Sequence, residues 1–241
     1  MSKQNDQLIL ISGESASGKS VSLMNLREPE GVMYLGCESG KRLPFKNKFQ
    51  NLTVTDPYQV YEAFDVAFEN KDVHTIVIDT LTFLMDMFET QYIIGAVDTM
   101  QGWSQYAQYY KRLMQEYVAA SDKSVIFLAH TRSDLDEASM EMKTVVPVKG
   151  SLKSNGLEAY YSTVVSTKKM LLTDLEPYAN DMLNITDRDN DLGYKHVFQT
   201  QLTKLTKNER IRSPIGMFTQ KQTYMDNDAQ LLLNHLREYY T

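Results

Sequence analysis

Apolar residues along this chain fall into short unbroken runs, separated by longer stretches with helical spacing. The first run, residues 7–12 (QLILIS), stops at a glycine and is bounded by polar, turn-forming residues, which predicts a buried strand. Residues 20–27 have helical character. Residues 31–37 (GVMYLGC) predict a second strand, and 52–55 a weaker third. Residues 58–70 place apolar side chains at helical spacing, and 74–79 (HTIVID) form a run of β-branched residues that ends on an acid. Helix is expected again from Thr80. Residues 103–120 (WSQYAQYYKRLMQEYVAA) make a long amphipathic helix, and 124–129 (SVIFLA) another buried strand. Strands that are apolar throughout and alternate with helices predict an α/β fold, with a mostly parallel sheet flanked by helices on both faces.

The last third has a different pattern. Residues 162–166 (STVVS) and 196–205 (HVFQTQLTKL) alternate apolar with polar positions and are expected as antiparallel strands at one edge of the sheet, near the C-terminus. Residues 231–240 predict a short terminal helix. Residues 187–191 (DRDND) begin like a calcium loop, but the sixth position is Leu192 rather than glycine and the twelfth is Phe198 rather than glutamate. A solvated turn is the expected structure there.

Composition narrows the picture. With 241 residues and no break in composition, the chain reads as one large domain, residues 1–225, with a C-terminal helix at 226–241 packed on it. No apolar run approaches the roughly 20 residues that a membrane span needs, and the polar start (MSKQNDQ) does not look like a secretory signal. The single cysteine, Cys37, excludes an internal disulfide and suits a reducing cytoplasm. The net charge of −6 excludes a generally basic coat and leaves room for a local basic groove.

The candidate chemistry starts at Gly13-Glu14-Ser15-Ala16-Ser17-Gly18-Lys19-Ser20, which fits G-x-x-x-x-G-K-[ST] at every fixed position. Glycines at those places let successive backbone N–H groups turn inward around phosphates, and a following helix adds its positive end. Lys19 would reach the β- and γ-phosphates, and the Ser20 hydroxyl would ligate magnesium. Asp79, at the end of an apolar strand, would face the same crevice and hold magnesium; a plain helix N-cap is the competing reading. Residue 80 is threonine, so no glutamate follows that aspartate, and a base for water must come from elsewhere. Glu38, just past the second strand and before a Ser39–Gly40 turn, is the best candidate. His130 follows the strand at 124–129 directly, where it could feel the γ-phosphate; an ordinary strand-end histidine is the alternative.

In their order these elements resemble the RecA-like P-loop ATPases. GESASGKS is similar to that family's Walker A loop and IVIDT to its Walker B. Glu38, in YLGCES, falls where the family keeps its catalytic glutamate. His130, in AHTR, falls at the family's polar γ-phosphate sensor, where a mobile DNA-binding loop begins. Residues 148–166 are similar to its glycine-bearing helix-then-strand segment, and 201–216 resemble its hairpin with trans-acting basic residues. More narrowly, the compact length and the YLGCESG turn resemble the phage nucleotide-binding P-loop proteins, some of which are RecA-like single-strand annealing proteins. Two departures stand out: histidine replaces the recombinases' glutamine at the sensor, and no N-terminal oligomerisation segment is evident. The resemblance implies a RecA-like P-loop NTPase core that uses ATP and Mg2+, hydrolyses ATP to ADP and phosphate, and forms homo-oligomers. It implies single-stranded DNA as partner, leaves room for a single-strand-binding protein, and places the chain in the cytoplasm of a bacterial host.

The remaining charged residues take their expected roles from that resemblance. Arg132, Lys143, Lys149 and Lys153, in or beside the long polar segment 131–150, are candidate DNA contacts. Asp134, Asp136, Glu137 and Glu141 share the segment, so a solvated acidic loop competes with that reading. Residues 91–103 could form a second loop, with Tyr92 and Trp103 stacking on bases, although core packing suits Trp103 better. Lys204, Lys207, Arg210 and Arg212 cluster near Pro214. On a hairpin, Lys207, Arg210 and Arg212 would act in trans on a neighbour's ATP site; a solvated basic turn is the plainer alternative. The leading functional expectation is ATP-dependent binding of single-stranded DNA in phage recombination or replication, for annealing or pairing. The second is a nucleotide-gated interaction protein of phage replication or packaging that touches no DNA. A small-molecule kinase is a weaker third, because the basic cluster lies late in the chain rather than in a lid.

Overall fold

The computed structural model describes residues 4–38, 40–137 and 140–241. Ser39 of the expected Ser39–Gly40 turn, Ala138 and Ser139 of the polar segment, and the first three residues of the polar start lie outside the described residues. Eight strands make the main sheet: β1 (Leu8–Gly13), β2 (Val32–Gly36), β3 (Gln50–Thr53), β4 (Thr75–Asp79), β5 (Ser124–His130), β8 (Thr163–Leu171), β9 (Tyr194–Gln199) and β10 (Tyr224–Asp226). Their order is β10-β9-β8-β1-β5-β4-β2-β3. All neighbours from β8 to β3 are parallel, and β9 and β10 run antiparallel. The expected α/β fold, with antiparallel strands at the C-terminal edge, is therefore present.

The parallel strands are apolar on both faces because both faces are covered. Side chains alternate across the sheet, so Leu10, Ile76, Ile78, Val125 and Phe127 share one layer. That layer packs against α1 (Gln59–Glu69), α2 (Leu81–Tyr92) and α3 (Thr99–Arg112) through Phe64, Phe88 and Tyr110. Ile9, Ile11, Val77, Ile126 and Leu128 face the other way. A late helix, Ala229–Tyr240, covers them with Leu232, Leu233 and Leu236. Asp98 accepts the Gln101 backbone N–H at the start of α3, and Asp228 does the same for Gln230 and Leu231 in the late helix. Such caps contribute about 1 kcal/mol each. No helix among the described residues is long and apolar enough to cross a membrane.

Several expectations need correction. The helix expected over 20–27 is a single 3-10 turn, Ser20–Leu23. Glu28 turns left-handed (φ 47°) ahead of Pro29, and the residue before a proline disfavours helix. The helix expected at 103–120 starts earlier, at Thr99, and continues past Arg112 as a π-helical segment, Leu113–Val118. The strand at 162–166 is parallel to β1 rather than antiparallel, and extends to Leu171. Residues 187–191 form not a solvated turn but the start of α4 (Asp187–Leu192), capped reciprocally by Thr186 and Asp189 and closed by Gly193 at φ 72°. The late helix is therefore α5. The long polar segment after His130 folds into an antiparallel hairpin, β6 (Arg132–Asp136) with β7 (Glu141–Val145). The hairpin expected at 201–216 does not form. Residues 200–220 are irregular, with isolated bridges from Arg212 to Val164 of β8 in the main sheet and from Glu209 to Thr144 of the β6–β7 hairpin.

Candidate functional site

Four parallel strands deliver the site residues to one edge of the sheet. Register sets Gly13 of β1 beside His130 of β5, Asp79 of β4 beside Leu128 of β5, and Gly36 of β2 beside Asp79. Because β5 lies between β1 and β4, His130 emerges between the glycine loop and Asp79. Glu38 follows two residues after β2, where the Cys37 N–H donates to the Asp79 carbonyl at 2.7 Å. One edge thus gathers Gly13–Ser20, Glu38, Asp79 and His130.

The loop backbone turns through positive φ at Ala16 (62°) and Gly18 (106°). Gly18 takes a conformation that side chains resist, and a Cβ there would approach Asn227 Nδ2 to 2.8 Å. Three remote residues support the turn. Asn227 Nδ2 donates to the Gly18 carbonyl at 2.9 Å, and His196 Nδ1 lies 2.8 Å from the Ser17 carbonyl, which makes that nitrogen the protonated one. The Thr167 hydroxyl meets the Ser17 hydroxyl, and a Cβ on Gly13 would collide with it. The helix expected over 20–27 is reduced to one turn, so the loop N–H groups and Lys19 must supply most of the attraction for phosphate.

Lys19 is only 6% exposed and folds back on the loop, donating to the carbonyls of Gly13 (2.9 Å) and Glu14 (2.7 Å). Burial lowers its pKa to about 8, against the attraction of Asp79. The Ser20 hydroxyl donates to Asp79 Oδ2 at 3.0 Å, and the Tyr34 hydroxyl donates to the same oxygen at 2.8 Å. Burial raises the Asp79 carboxyl above its usual range, and the Tyr34 and Ser20 hydrogen bonds oppose that rise. The second oxygen, Asp79 Oδ1, is buried without a partner. An unpaired buried carboxylate oxygen is costly, and a cation is its natural partner. No cluster of three or more His, Cys, Asp or Glu among the described residues could hold a metal alone. Magnesium suits such a place, since it takes one or two protein oxygens and completes its shell with phosphate and water. Asp79 and Ser20 therefore fit a magnesium ion that arrives with a phosphorylated ligand.

Glu38 meets two partners: the Lys41 ammonium at 2.5 Å and His130 Nε2 at 3.2 Å. Burial pushes its carboxyl up, but the hydrogen bonds from Lys41 and His130 outweigh it and leave the carboxyl below its usual range. Burial and the nearby Lys19 lower the His130 pKa against the pull of Glu38. These side chains, with Ser15, Ser20 and His196, line a cleft of about 290 Å³ beside the loop.

The other sequence candidates lie away from the cleft and are mostly closed by acids. Arg132 pairs with Asp134 (2.7 Å), Lys143 with Asp136, and Lys149 with Glu89 (2.7 Å). Lys153 has no ion pair among the described residues. Tyr92 donates to Asp56 at 2.6 Å, and Trp103 packs edge-on against Tyr106. Lys207 pairs with Glu141 (2.6 Å), and Arg210 lies 4.0 Å from buried Glu158. Arg212 is exposed, with its backbone bridged to Val164. Sequence reasoning missed Tyr34, Thr167, His196 and Asn227. Tyr34 had a signal, since a tyrosine inside a buried strand needs a partner for its hydroxyl. The other three had none.

A strand, a glycine loop with its Lys-Ser pair, and a buried acid opposite that pair define a P-loop nucleotide-binding protein. The sequence pattern of the AAA domain family matches residues 5–207, and the chain belongs to that family. No curated protein matches it. The chain is thus a P-loop NTPase with a mostly parallel sheet.

Proposed function

We propose that the protein is a magnesium-dependent ATPase whose nucleotide state is passed to the β6–β7 hairpin. The observation that carries this reading is the unpartnered Oδ1 of Asp79, on the same carboxylate whose Oδ2 accepts from the Ser20 hydroxyl of the loop. Lys19 would leave the Gly13 and Glu14 carbonyls for the β- and γ-phosphates. Asp79 and Ser20 would hold magnesium, which neutralises charge on the transferring phosphoryl group. Glu38 would orient a water and accept its proton as the water oxygen bonds to the γ-phosphorus and the bond to ADP breaks. For that, Glu38 must first be released from Lys41. His130, between the loop and Asp79, would sense the γ-phosphate and relay its presence into the hairpin that starts two residues later.

On the hairpin, Leu135 and Met142 face each other across the strands and are half exposed, and Met140 is more exposed still. With Arg132 and Lys143 already paired to Asp134 and Asp136 of the same hairpin, this element suits a protein partner better than a phosphate backbone. Among the trans-acting candidates, Arg212 has no carboxylate partner among the described residues and is the one we assign to a neighbouring subunit's site. Phosphate release is the test. Glu38→Gln is expected to cut turnover by about 10²-fold or more with ATP binding retained. If Glu38→Gln and Asp79→Asn both release phosphate at the wild-type rate, the reading fails.

A further inference from the structure

The chain's densest positive charge has no role in the site above. Residues 41–48 (KRLPFKNK) hold four cations and no acid, and no carboxylate follows before Asp56, in a chain of net charge −6. The segment joins β2 to β3 at the same sheet edge that carries Glu38. Two of the cations are paired, Lys41 with Glu38 (2.5 Å) and Lys48 with Glu30 (2.9 Å). Arg42 and Lys46 are exposed and have no ion-pair partner among the described residues. The DNA candidates on and after the hairpin differ, since three of those four are closed by acids.

Lys41, Arg42 and Lys46 line a cavity of about 790 Å³ together with Phe45, Asn51 and Leu52. Glu38, Lys41 and Arg42 belong to the walls of both this cavity and the nucleotide cleft. The two spaces therefore meet at the residue assigned to water. Cations spaced along an open groove suit successive phosphates of one strand, and half-exposed Phe45 and exposed Leu52 offer apolar surface between them for bases.

We propose that this groove binds the backbone of single-stranded nucleic acid, and that a bound phosphate draws Lys41 away from Glu38 and so frees Glu38 to act on water. The second half rests on the ATPase reading. The Lys41–Glu38 pair is a brake in the free protein, and the strand competes for its cation.

The experiment uses the full chain, a fluorescent oligothymidylate of about 20 nucleotides and a phosphate-release assay. Wild type is expected to bind the oligonucleotide at low salt. Arg42→Gln with Lys46→Gln should lower the slope of log affinity against log salt by about 1.4, or 0.7 per lost contact on a single strand. Lys143→Gln with Lys149→Gln should leave that slope unchanged. Oligonucleotide should raise wild-type turnover at least about fivefold, the low end of ordinary coupling between sites. Lys46→Gln should need more oligonucleotide for the same rise. Binding that ignores Arg42 and Lys46, or that pyrophosphate displaces as well as the strand does at equal phosphate, overturns the groove. Binding without stimulation overturns the coupling. A wild type that binds through Arg42 and Lys46 yet releases no phosphate leaves the groove standing and removes the ATPase.

Discussion

Lys19 holds a proton loosely, and that has a measurable sign. Its pKa of about 8 in the free protein results from burial, and nucleotide phosphates would raise it again. Binding near or above pH 8 is therefore expected to take up a proton, and affinity should weaken as pH rises through that value. Calorimetry in two buffers of different ionisation enthalpy reads the uptake directly; none at about pH 8.5 would refute the assignment. The same shift bears on stability. A lysine depressed from 10.5 binds fewer protons folded than unfolded between about 8 and 10.5, so its contribution to stability rises with pH across that window. Asp79 gives a second residue-scale prediction. Its partnerless oxygen costs stability in the free protein, so Asp79→Asn should leave the ligand-free melting temperature equal or higher. Magnesium and nucleotide at about 100 times Kd should stabilise wild type by about 2.7 kcal/mol and the variant by much less. Lys19, Ser20 and Asp79 were legible in the sequence because their meaning lies in local spacing. His196 and Asn227 were not, because only the completed sheet brings them to the loop.

At the scale of elements, β1 and β8 touch where Gly13 faces Thr167. Gly13→Ala is expected to destabilise the fold by about 1–3 kcal/mol through overpacking, and Thr167→Ala should recover part of that loss. Urea unfolding of the two single variants and the double variant measures the coupling, and strict additivity would rule out the contact as its cause. The buried strands were readable because apolar runs bounded by turn residues have few other uses. The β6–β7 hairpin was not, since Arg132, Ser133, Asp134 and Lys143, Thr144 give it no apolar face to mark its period. Residues 20–27 misled in the opposite way. Their apolar spacing suggests a helix, but weak formers at its start and Pro29 at its end allow one turn.

For the molecule as a whole, strand order decides how the site is read out. With β5 between β1 and β4, one strand end touches both halves of the nucleotide cleft and runs straight into the hairpin. A magnesium-bound, non-hydrolysable ATP analogue is expected to change hydrogen exchange in β6 and β7, and His130→Ala should abolish that change while the cleft still fills. Equal responses in both proteins would remove His130 from the relay. The α/β class and the parallel order of the early strands followed from the sequence pattern. The neutralised hairpin cations and the separate basic groove required distances, since charge along a chain does not say which opposite charge will fold against it.

The support under Gly18 has a consequence in time. The loop is made well before its support: Asn227, which holds the Gly18 carbonyl, is joined 209 positions later. Contacts that far apart close late and slowly. A growing chain thus carries its nucleotide loop through some two hundred further residues before the last of the three residues that steady it exists. Firm capture of nucleotide should wait until Asn227 has been joined, and truncation before Asn227 should leave a loop that grips phosphate poorly.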